Sequence, residues 1–77
     1  MDILLCGSFD DNERDAWLAE LQRALPQARW HLSATAESAG LITAAVVANP
    51  PAGLLQGLPN INAIFGFALI KQMFLQL

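Results

Sequence analysis

An α/β fold built on a small parallel sheet is the architecture this sequence predicts, and three observations predict it. Two short runs, residues 3–6 and 43–48, are uncharged and largely apolar, as strands covered on both faces are. Between them, residues 13–25 space their large apolar side chains as a helix does. Strand and helix then alternate along the chain, an order that favours parallel strands joined by right-handed crossovers. With 77 residues the chain has room for one small core. A domain of this size buries only about 60–65% of the surface its unfolded chain exposes, so its margin of stability is thin.

The first strand, Ile3-Leu4-Leu5-Cys6, stops at Gly7-Ser8. Asp10-Asp11-Asn12 supplies a helix N-cap, and Glu13 and Asp15 put negative charge in the first turn, where the helix dipole favours it. Trp17, Leu18, Leu21 and Leu25 form the helix's apolar stripe, with Arg14, Glu20 and Arg23 off it. Pro26 ends the helix, because it has no N–H to donate and its ring excludes a helical Leu25. Residues 29–33 alternate: Trp30 and Leu32 share one face, Arg29, His31 and Ser33 the other, the period of a half-exposed edge strand. Residues 34–42, with Gly40, form a polar connection with room for one helical turn.

Thr43-Ala44-Ala45-Val46-Val47-Ala48 suits a central strand. Asn49-Pro50-Pro51-Ala52-Gly53 breaks it, since proline cannot donate to a ladder. Residues 54–58 allow a turn or two of helix, and residues 61–67 form a fourth strand. The tail, residues 68–77, is weakly helical by propensity; its apolar residues at 69, 70, 73, 74, 75 and 77 cover more than one face and require burial on several sides. The alternating second strand fits an edge and the uncharged first and third fit the centre. The expected sheet order is therefore 2-1-3-4, the flavodoxin-like order.

Composition excludes several classes. At 55% hydrophobic the chain is too apolar for disorder, and its four basic residues are too few for a surface that tracks nucleic-acid phosphates. One cysteine cannot build a disulfide scaffold or a zinc site. Cys6, inside an apolar strand, reads as a small buried hydrophobe. The N-terminus lacks a basic region and a signal-peptide core, so a cytoplasmic location is expected. Prolines 50 and 51 interrupt the apolar half, and residues 61–77 contain Asn62, Lys71, Gln72 and Gln76, so no membrane span is expected. Charge is unevenly placed. Residues 1–37 hold Asp2, Asp10, Asp11, Glu13, Arg14, Asp15, Glu20, Arg23, Arg29 and Glu37, whereas residues 38–77 hold only Lys71. The second half therefore lacks the polar face an independent unit turns to water.

Several segments also carry a family resemblance: the opening Met-Asp-Ile-Leu-Leu, Leu25-Pro26-Gln27-Ala28-Arg29, and above all Ala45-Val46-Val47-Ala48-Asn49-Pro50-Pro51 followed by Leu58-Pro59-Asn60-Ile61-Asn62-Ala63-Ile64-Phe65. In order and spacing, residues 1 to about 65 resemble the N-terminus of the D-isomer-specific 2-hydroxyacid dehydrogenases, in the glyoxylate/hydroxypyruvate reductase A branch. The resemblance implies a partial flavodoxin-like substrate domain over residues 1–67, followed by a divergent apolar tail, 68–77. It also implies ancestry in NADH- or NADPH-dependent reduction of small 2-oxo acids. In that family a Gly-Ala-Gly-Val-Asp-like turn presents backbone N–H groups to the substrate carboxylate. By position that turn falls on Ala68-Leu69-Ile70-Lys71-Gln72, where both glycines are replaced. The substrate-binding position implied is thus Ala68, Leu69 and Ile70, with its motif degraded. The loss of similarity from about Gly66 suggests a truncated or frameshifted product.

Hydride transfer to a 2-oxo acid needs a bound nicotinamide, a cation for the carboxylate and a proton donor. The sequence has no Gly-x-Gly-x-x-Gly turn, and the family's arginine, glutamate and histidine have no counterpart in it, so no catalytic, cofactor-binding or metal-binding residue is assigned. His31 reads as a solvated surface residue, and Arg29, His31 and Glu37 have no pocket to serve. Three functions remain: a non-catalytic N-terminal part of a glyoxylate/hydroxypyruvate reductase; a small module that self-associates or binds a partner through its apolar C-terminal half; and an enzyme with a novel site around Asp10, Asp11 and His31. Helix capping already accounts for the two aspartates.

Overall fold

The computed structural model describes residues 1–49 and 53–75. In chain order these form β1 (Asp2–Gly7), α1 (Asp11–Ala24), β2 (Arg29–His31), β3 (Ile42–Ala48), a 3₁₀ turn (Leu54–Gly57), β4 (Ala63–Gly66) and α2 (Phe67–Leu75). The strands make one parallel sheet in the order β2-β1-β3-β4. This is the expected order, and it is consistent with a flavodoxin-like arrangement.

Strand alternation sorts the apolar residues onto two faces. Ile3 and Leu5 of β1 join Ala44 and Val46 of β3 on the first face, where α1 contributes Leu21. Leu4 joins Ile42, Ala45 and Leu58 on the second, with Cys6, Ala39, Val47 and Ile61 packed around them. Leu4, Leu5 and Ile42 are the largest fully buried side chains, and all belong to the two central strands. α1 covers the first face, while the β3–β4 connection brings Leu58 to the second. Crossovers on opposite faces follow from the reversal of strand order at the β1/β3 junction, because right-handed connections running in opposite directions across a parallel sheet lie on opposite faces.

α1 begins where its cap predicts. Asp10 is extended (φ −75, ψ 164) and its side chain accepts the Glu13 N–H at 2.7 Å. Its solvent side carries Arg14 between Asp11 and Asp15, each 3.5 Å away, and an Arg23–Glu20 pair. The helix ends one residue earlier than expected. Leu25 leaves it (φ −129, ψ 72) because Pro26 disfavours helical geometry at the residue before it, so Leu25 is exposed rather than part of the buried stripe.

Other boundaries also moved. β2 is only three residues long, pairing with Asp2, Ile3 and Leu4 of the six-residue β1. Leu32 therefore lies beyond the strand and is exposed, while Trp30 packs on the first-face core. The 34–42 connection contains the expected single turn. Thr35 and Ser38 cap each other reciprocally, Thr35 N–H to Ser38 Oγ at 2.9 Å and Ser38 N–H to Thr35 Oγ1 at 3.1 Å. Residues 61–67 do not form one strand: Ile61 packs on the second face ahead of β4, and Phe67 starts α2. Phe67 turns over the end of β4 because its ring packs edge-on against Phe9 and Trp17, with ring centres 4.7 and 5.2 Å away.

The expected helical tail is present as α2, and Phe67 and Ile70 set it against the first-face core. Of the expected strand break, Pro50, Pro51 and Ala52 lie outside the described residues, as do Gln76 and Leu77 of the tail and the side chains of Phe74 and Leu75. Among the described residues no helix is long and apolar enough to cross a membrane.

Candidate functional site

In open parallel sheets, ligands bind beyond the carboxyl ends of the strands, at the point where strand order reverses. Here that point lies between β1 and β3, and backbone fills it. Gly7 pairs with Ala48, and a Cβ on Gly7 would sit 1.9 Å from the Ala48 carbonyl oxygen. The Ser8 N–H closes the gap further by donating to that oxygen at 2.7 Å. Only glycine fits at position 7, which also has φ +135. Just beyond, the N-terminus of α1 is occupied by its own Asp10 cap and flanked by Asp11 and Glu13. Acidic side chains there repel the phosphate that such a helix end otherwise attracts.

An open cleft lies one strand over, between the ends of β3 and β4. It is lined by Val47, Ala48, Asn49, Gly66, Phe67, Ala68 and Lys71, with a volume of about 390 Å³. Asn49 holds a left-handed turn there, with φ 50. Ala68, Leu69 and Ile70, the positions the family resemblance assigns to the substrate carboxylate, occupy the first turn of α2. Their backbone is helical, so replacement of the family's glycines carries no positive-φ strain here. First-turn N–H groups have no acceptor within the helix, and Lys71 places one cation beside them. Among the described residues the charge lining this cleft favours an anion.

Among the described residues no histidine, aspartate or glutamate lines that cleft. His31 lies on the opposite edge strand, three strand spacings or roughly 14 Å across the sheet. Nor is it solvated as the alternation implied: its side chain is 17% exposed and donates Nε2–H to Asp2 Oδ2 at 2.8 Å. The parallel register makes this pair, since Asp2 lies opposite Arg29 and Leu4 opposite His31, leaving Asp2 and His31 diagonal neighbours on one face. The hydrogen bond from His31 holds the Asp2 carboxyl below its usual range, with help from nearby Arg29, against an opposing effect of desolvation. Asp10 and Asp11 start α1 and His31 lies within β2 on the other side of the sheet, so the three do not converge. Glu37 is exposed in the β2–β3 connection. Cys6 is half-buried, and burial pushes its thiol pKa up, away from the reactive thiolate.

A second concavity, of about 340 Å³, opens on the first face and is lined almost wholly by apolar groups, among them Ile3, Leu21, Trp30, Val46, Phe65 and Ile70. Among the described residues no cluster of three or more His, Cys, Asp or Glu side chains could hold a metal ion.

Gly7, Asn49 and the Asp2–His31 pair were not singled out by sequence reasoning. A glycine directly after a buried strand was the available signal for Gly7, and an asparagine before proline for Asn49. The pair had none, because 29 residues separate its members.

Fold and site together define a small parallel α/β domain whose strand-order reversal point is closed. Compared with protein-family models, curated proteins and solved structures, the chain matches none of them.

Proposed function

We propose that the chain is a non-catalytic α/β domain of the kind that begins the substrate domain of glyoxylate/hydroxypyruvate reductases. The ancestry rests on the resemblance of residues 1 to about 65. The observation that supports the non-catalytic reading is the close backbone contact of Gly7 with Ala48 at the strand-order reversal, the place where such sheets take a dinucleotide. A domain of that kind depends on a second, dinucleotide-binding domain for hydride chemistry. The β3–β4 cleft keeps at most a place for a small anion beside Lys71. The test is NADH and NADPH oxidation by the purified 77-residue protein with glyoxylate and with hydroxypyruvate. The rate expected is that of buffer alone, and protein-dependent turnover would overturn the reading.

A second reading, a small module that self-associates or binds a partner through its apolar C-terminal half, is favoured by a separate observation. Ile64, Phe65, Leu69 and Met73 are all exposed large apolar side chains, and they lie close together in sequence on β4 and α2.

A further inference from the structure

We propose that the concavity on the first face is a binding site for a small, uncharged, flat aromatic molecule of one or two fused rings. The inference goes beyond both readings above and depends on neither.

Register builds the site. On the first face the strands align their side chains in rows across the sheet. One row runs Trp30, Ile3, Ala44, Ala63 from β2 to β4, and the next, toward the carboxyl ends, runs Leu5, Val46, Phe65. The first row therefore drops from two large side chains to two adjacent methyl groups. Those alanines make a floor two strands, or roughly 10 Å, wide, bordered by Ile3, Val46 and Phe65. Leu21 of α1 and Ile70 of α2 wall it from above. The recess has a volume of about 340 Å³, within the roughly 300–1,000 Å³ of small-molecule sites.

The chemistry of the walls selects the ligand. None of the described residues that line the recess is charged, and the lining is almost wholly apolar. The Trp30 indole adds no polar group to it, because its Nε1 is sealed from solvent. A buried water is held by roughly two to four polar partners, and walls of this kind offer few. Water here is poorly held, so an apolar molecule that displaces it gains affinity. A charged ligand would lose its hydration without gaining a partner.

Size and shape narrow the class. An apolar cavity of roughly 150 Å³ takes up one benzene ring, and this one is about twice as large and partly open. Its paired methyl groups offer a ring plane an even floor, and the Phe65 ring borders it. Ala44 is only 6% exposed, so the floor lies below the surface. A compact ring enters such a recess, whereas a flat protein face bridges it.

The test is an NMR titration of the labelled protein with naphthalene. Naphthalene is expected to bind with a Kd on the order of 0.1 mM. Its ring current should move the Ala44 and Ala63 methyl signals upfield and leave that of Ala19, exposed on α1, in place. 2-Naphthoate, the same rings bearing a carboxylate, is expected to bind weaker by roughly tenfold or more. Ala63→Leu, whose larger side chain fills the floor, is expected to weaken naphthalene binding by roughly tenfold or more, and Leu41→Ala, at an exposed site elsewhere, to leave it unchanged. Circular dichroism checks that the variants fold, and if Ala63→Leu does not, the smaller Ala63→Val takes its place. Sedimentation at the same concentrations tests a competing occupant, a second copy of the chain: a dimer that folded Ala63→Leu dissociates would overturn the proposal. So would unmoved Ala44 and Ala63 signals in the wild type, naphthoate binding as tightly as naphthalene, or full-strength binding by the folded floor variant.

Discussion

Gly7 is the residue with the least freedom to change. Its φ of +135 disfavours any side chain, and a Cβ there would overlap the Ala48 carbonyl. Gly7→Ala is expected to cost about 3 kcal/mol or more, read as a lower urea midpoint, because strain and overpacking act together. Asp2 makes a pH-dependent contribution. Its carboxyl ionises below the ordinary value of 3.8 in the folded state, so the Asp2–His31 bond stabilises the fold fully above that value. The contribution is lost as pH falls through the lower folded-state value. The stability gap between wild type and Asp2→Asn should therefore be full at pH 7 and close as the pH drops below about 4. Melting temperatures compared across that range check it, and a gap that stays constant would refute the assignment. Sequence reasoning placed His31 on a polar strand face correctly but left it to solvent. Which acid met it depended on strand register, which local sequence does not contain.

At the scale of elements, α1 was the most legible, because its signals are local: an N-cap, first-turn acids, a 3.6-residue apolar period and a terminating proline. Asp10→Ala is expected to lower stability by about 1 kcal/mol in chemical denaturation, whereas Asp11→Ala, which leaves the capped Glu13 N–H satisfied, should cost clearly less. β1 and β3 were legible for a similar reason, since strands covered on both faces are uncharged throughout. Element ends were less so. Leu32 and Ile61 fell outside their expected strands because pairing with β1 ends at His31 and pairing with β3 begins at Ala63, limits that lie between strands and not within either segment, and Phe67 joined α2 because Phe9 and Trp17 hold its ring.

For the whole molecule, the two-face core is small. A 77-residue domain has a total stability of roughly 4–12 kcal/mol. Leu5→Ala, at a site 1% exposed, is expected to cost about 2–5 kcal/mol and so to leave much of the protein unfolded at moderate temperature. Leu41→Ala, at a site 55% exposed, should change stability by less than about 0.5 kcal/mol. Thermal melts of the two variants make the comparison. The charge-poor second half now has a partial structural account. Ile42, Ala44, Ala45, Val46 and Leu58 are buried on the two sheet faces, while Ile64, Phe65, Leu69 and Met73 remain exposed on β4 and α2.

The sequence by itself determined the α/β class, the parallel sheet and its order, because burial writes itself into composition: central strands carry no charge, an edge strand alternates and a helix repeats at 3.6 residues. Only the tertiary structure decided the pairing of Asp2 with His31 and the closure of the sheet's reversal point by Gly7 and Ala48. Each of these depends on register between strands far apart in the chain, and a shift of one residue would turn every one of those groups the other way.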